Sequence, residues 1–91
     1  MQQSDNFNDI DELLENWDKL RNTHLPSKLE TLNEAIVREY AKNIIDHYAY
    51  EIRVSRLKNN THDENHFIDK FSESYEKYLS DLTYRILKNG N

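Results

Sequence analysis

Residues 27–58 read SKLETLNEAIVREYAKNIIDHYAYEIRVSRLK, a run that no Gly or Pro interrupts. Leu29, Leu32, Ile36, Tyr40, Ile44, Tyr48 and Ile52 recur every three or four positions, and Val37, Ala41, Ile45 and Ala49 form a second row beside them. Apolar residues at that period line one side of an α-helix. The spacing predicts one continuous helix, which at 1.5 Å rise per residue spans over about 40 Å. Two adjacent rows make a broad face able to contact helices on two sides, so this segment is the expected spine of the fold.

On its N-terminal side, NTHLPSK (22–28) breaks the pattern, and Pro26 suits the first turn of the spine, where a missing N–H costs nothing. Before it, Ile10, Leu13, Leu14, Trp17 and Leu20 fall on a single apolar row. Asn8 or Asp9 can cap this first helix, which then runs to about Asn22; Asp9, Asp11 and Glu12 lie where the helix dipole favours negative charge. On the other side, KNNTHDEN (58–65) marks a boundary, with Asn59 and Asn60 as a turn and Thr61 with Glu64 as a capping box. A third helix follows on Phe67, Ile68, Phe71, Tyr75, Tyr78, Leu79, Leu82 and Ile86, stopped by Lys88 in its last turn and Gly90 beyond. Short connections set neighbouring helices antiparallel. The expectation is an all-α, up-down-up three-helix bundle with a long central helix: residues 1–7 a flexible tail, 8–91 a single domain.

Composition agrees. One Gly and one Pro cannot supply the turns of a strand-rich fold, and without cysteine there is no disulfide framework and no thiolate chemistry. Charged residues reach 32% and mean hydropathy is −1.01, which leaves little material for a core. Six Tyr, three Phe and one Trp nevertheless argue against disorder, and suggest apolar surface that a partner completes. A net charge of −5 disfavours direct nucleic-acid binding. No signal peptide is visible in MQQSDNFNDI and no apolar run reaches the roughly 18 residues of a membrane span. The expected setting is intracellular and soluble, cytoplasmic or nuclear, with no membrane association.

Catalytic signatures are lacking. The serines have no GxSxG context, and no Gly-rich phosphate loop occurs. His62 and His66, four apart in THDENH, are weak candidates for zinc, but the segment departs from HExxH and offers no third ligand, so solvated side chains are the preferred reading. A di-metal bundle needs paired Glu-x-x-His motifs, and only Asp63-x-x-His66 comes near. His24 and His47 stand alone. The chain is expected to be no enzyme, without catalytic residues or cofactors.

Interaction surfaces are the remaining candidates. Arg53, Arg56 and Lys58 form a basic cluster for which complementing the C-terminal helix dipole is the preferred reading; contact with phosphate or with an acidic partner, such as an acidic first helix of this chain or another, is the alternative. Residues 1–18 carry six acids and no base, which fits that docking. Tyr40, Tyr48, Tyr75 and Tyr78 lie on apolar rows and are expected at the core rim, whereas Tyr50, Tyr84 and Phe7 have no role inside. Trp17's row favours the bundle's interior or rim; it also stands as a candidate interface residue, with Tyr50, Tyr84, Arg53 and Arg56. Partners are then one or more proteins, or a second copy in a homodimer.

The order of these features resembles the N-terminal helical domain of one subunit of the GINS DNA-replication complex. Asp9, Ile10, Glu12, Leu13, Leu14 and Trp17 are similar to that family's opening acidic helix, and Pro26 to the proline that introduces its second. Ile68-Asp69-Lys70-Phe71, Tyr78-Leu79 and Arg85-Ile86 resemble its third helix. Departures occur at Lys19-Leu20, at Ser27-Lys28-Leu29, and at Ser80 and Leu82 in place of arginines, and the family's small β domain has no counterpart in these 91 residues. The resemblance implies assembly into a replication complex through helix faces. A stand-alone regulator, such as a phage or plasmid protein that masks a host surface, is the competing expectation; a metal-binding protein using His62 and His66 is the one from another class.

Overall fold

A computed structural model describes the backbone of residues 2–23, 25 and 27–89, and the side chains of 10–23, 25 and 28–88. His24, Pro26, Gly90 and the side chain of Phe7 lie outside the described residues. Three helices follow one another, α1 (Gln2–Leu20), α2 (Leu32–Leu57) and α3 (Thr61–Asn89), with a 3-10 turn at Ser27–Leu29 before α2. They form the expected three-helix bundle, and no strand occurs among the described residues. The helix of α1 already includes residues 2–7, which the sequence assigns to a tail.

The spine is shorter than expected. Its first residues form the 3-10 turn, and α2 starts only after Thr31, whose Oγ1 accepts from the Glu34 N–H at 3.1 Å while Glu34 Oε1 accepts from the Thr31 N–H at 2.8 Å. This reciprocal capping box satisfies two donors that would otherwise be orphaned, so the helix begins here rather than at Ser27. At the other end Asn59 adopts φ 55°, Asn59 N–H reaches the Arg56 carbonyl at 3.1 Å and Asn60 N–H the Ser55 carbonyl at 2.9 Å. That paired closure ends a helix with one left-handed residue, a position where Asn is tolerated. The expected cap of α3 is displaced by one: Asn60 Oδ1, not Thr61, accepts from the Asp63 N–H at 3.1 Å. Glu64 is released from capping and instead accepts from Arg56 Nε at 2.7 Å.

The tight turn folds α3 back along α2, and α1 packs against both. Ile10, Leu14 and Trp17 of α1 meet Ile45, Ala49 and Ile52 of α2 and Phe71, Tyr75, Tyr78 and Leu82 of α3 in one buried cluster. Trp17 is 0% exposed, with its ring edge-on to Tyr78 at 5.1 Å and Tyr75 at 6.2 Å. Its indole N–H donates to Asp46 Oδ1 at 2.7 Å, so burying the ring strands no donor. Arg21 grips the same carboxylate with Nε at 2.8 Å and Nη2 at 2.7 Å. Trp17 is therefore an internal residue, a correction to its standing as an interface candidate.

Burial alone would raise the Asp46 carboxyl; the hydrogen bonds from Arg21 and Trp17 outweigh it and hold the group below its ordinary value. The unfolded chain then takes up a proton at higher pH than the folded one, so this contribution is present above the ordinary aspartate value of about 3.9 and lost as pH falls through the lower folded value. We expect the wild type to exceed Asp46→Asn in stability at pH 7, and the gap to close on acidification below about pH 4. Urea melts of both proteins at several pH values check this; a gap independent of pH would refute it.

Candidate protein-binding face

A row at strict i, i+4 spacing advances about 40° around the axis at each step, because 3.6 residues make a turn. From Leu32 to Ile52 there are five such steps, so the two ends of the first row point to nearly opposite sides. The far end, Ile52, is buried and Tyr48 half-buried, whereas Leu32, Ile36, Tyr40 and Ile44 are exposed at 77, 59, 67 and 37%. Val37 of the second row joins them, while Ala41, Ile45 and Ala49 turn toward the core. Tyr40 is thus not at the core rim as the sequence suggests; Tyr75 and Tyr78 are fully in the core.

Beside this patch a groove of about 290 Å³ runs between α2 and α3. Val37, Tyr40, Ala41 and Ile44 line its α2 side, Tyr78 and Leu82 its α3 side, and Lys77 and Asp81 stand on its α3 wall. The groove is backed by an ion cluster. Glu30, 6% exposed in its side chain, accepts from Arg38 Nε and Nη2 at 3.2 Å and from Arg85 Nη1 at 2.7 Å, tying the segment before α2 to both long helices.

The basic cluster docks the chain's own first helix. Arg53 Nη2 lies 3.4 Å from Asp18 Oδ2, and Arg56 joins Asp11 of α1 to Glu64 of α3. Both arginines, expected to face a partner, are therefore engaged internally, and Arg56 is largely covered. Further along, Arg21 reaches Asp46, and Lys42 Nζ donates to the Arg21 carbonyl at 3.2 Å, closing the end of α1. All these α1 contacts fall on one flank of α2; the patch from Leu32 to Ile44 occupies another.

Tyr50 and Tyr84 are exposed at 62 and 65%, as expected of interface residues, but neither belongs to the patch. Tyr84, with Lys88 Nζ 5.8 Å from its ring centre, borders a polar depression of about 410 Å³ that shares Asp81 and Arg85 with the groove. His62 stands in solvent beside Asp63, and His66 is exposed against Phe67. Among the described residues no three His, Cys, Asp or Glu side chains assemble to hold a metal, and no helix is long and apolar enough to cross a membrane. Compared with known protein families, curated proteins and solved structures, the chain matches none.

Spacing alone missed this face because it treats an apolar row as straight. The 40° advance, applied to residues 32–52, was the available signal.

Proposed function

We propose that this chain is a non-enzymatic helical interaction subunit or adaptor, soluble and intracellular, that binds protein through the exposed N-terminal half of α2 and the adjoining groove. What carries the reading is the contiguous run of Leu32, Ile36, Val37, Tyr40 and Ile44, each more than a third exposed. Together they leave on the order of 600 Å² of apolar surface bare, at the upper end of what a monomer's largest patch presents. So large a patch in so polar a chain costs solubility unless something covers it. The groove supplies relief beside the patch, where an anchoring side chain can be desolvated. Assembly through helix faces, as the GINS resemblance implies, would use this surface.

A benzophenone amino acid placed at Tyr40 tests the reading in the cell, with the same probe at Lys70, a polar exposed position on α3, as control. Protein adducts are expected from position 40 and not from 70, and Ile36→Asp should remove them. Equal yields from both positions, or none from 40, would overturn the assignment.

A further inference from the structure

We infer that the occupant of this face is a second copy of the chain, packed α2 against α2 in antiparallel sense about a two-fold axis at Tyr40. The inference rests on the reading of the face as a protein-binding surface and names its partner. Area is the first argument: about 600 Å² from each of two copies reaches the roughly 1,200 Å² at which specific interfaces begin.

Self-complementarity is the second. A two-fold contact presents one patch to itself, so the patch must match its own reversal. Ile36 and Ile44 lie four residues either side of Tyr40, and reversing the helix about Tyr40 sets each over the other in the second copy, while Leu32 falls opposite the half-buried Tyr48 and Val37 opposite Asn43. No charged residue shares this strip. Glu39 and Lys42, within the same span of sequence but turned to another side of the helix, pair with each other at 3.1 Å.

The rim supplies the third argument. Lys77 and Asp81 are exposed, one turn apart, and both line the groove with Tyr40. The same two-fold operation that exchanges Ile36 and Ile44 exchanges these levels on α3, offering Lys77 of one copy to Asp81 of the other. Opposite charges at that spacing offset part of the repulsion between two molecules of net charge −5.

Sedimentation equilibrium of the full chain decides the matter. The mass should climb from 11.0 kDa toward twice that value between about 1 and 200 µM, the range where a modest interface associates. Tyr40→Glu, at an exposed site, should leave the circular dichroism spectrum unchanged and weaken association at least about 30-fold, as removal of a central anchor does. Lys77→Asp and Asp81→Lys should each weaken it several-fold, and the double exchange should restore it. A mass of 11.0 kDa at every concentration, a dimer indifferent to Tyr40→Glu, or a double exchange without recovery would overturn the proposal. A monomer whose position-40 probe still labels another protein removes the second copy but leaves the protein-binding reading standing; a monomer without such adducts removes both.

Discussion

Trp17→Ala should leave the chain largely unfolded at 37 °C. The indole is completely enclosed and touches Tyr75 and Tyr78 edge-on, so truncation removes its own transfer energy and opens a cavity among side chains fixed on three helices. Such changes cost about 3–5 kcal/mol. Truncation also takes one hydrogen-bond donor from Asp46, leaving it the two from Arg21. A domain of this length has a total stability of about 5–14 kcal/mol, and a chain this polar belongs at the lower end. Far-UV circular dichroism during a urea titration gives the answer. We expect the midpoint to collapse, and Trp17→Phe, which keeps a ring but loses the N–H donor, to fall between the two proteins. A Trp17→Ala midpoint equal to wild type would mean that the indole is not inside the bundle.

Glu30→Ala should be nearly as damaging, although Glu30 belongs to no helix. Its carboxylate is the shared acceptor for Arg38 and Arg85, and the three side chains are only 6, 13 and 15% exposed. Removing the acid takes the shared acceptor from Arg85 and Arg38 in a half-dry site, with Arg38 still 3.3 Å from Glu39, and breaking one side of a buried pair costs about 3–5 kcal/mol. The cost falls toward the lower figure because both arginines keep some access to water. Glu30→Gln retains an acceptor without the charge and should be intermediate. Thermal melts of the two variants check the order; if Glu30→Ala melts with wild type, the cluster contributes nothing and the backing of the groove comes from packing alone. Replacing all three by apolar residues of similar volume is a different experiment, because it removes the desolvated charges together with their partners.

The three helices and their order were readable because apolar periodicity and turn residues are local signals. So was Trp17's burial, which follows from its row with Leu14. The start of α2 was also written in the chain, as Thr31 with Glu34 three residues on, but the absence of Gly and Pro from 27 to 58 drew the boundary too early. At 60–64 the choice between two adjacent caps turned on Arg56, which takes Glu64 from across the turn. That partner is invisible to a local rule. The same limit hid Asp46 and Glu30: Asp46's partners lie 25 and 29 residues away, and Glu30 joins Arg38, eight residues on, to Arg85, 55 residues on, while spacing along one helix carries no information about charges on another. The basic cluster showed a middle case, since complementarity with the acidic start of the chain was evident but not whether the two belong to the same molecule.

The turn at 58–60 joins α2 to α3 through neighbours in sequence, whereas α1 is fastened by links that reach across 25 to 45 residues. Closing a short loop is entropically cheap and quick, and closing a long one comes later. We expect the α2–α3 hairpin to form first and α1 to dock onto it, with the single tryptophan on the later piece. In stopped-flow refolding the indole emission should then lag the helical signal at 222 nm, and coincident traces would mean that the three helices assemble together.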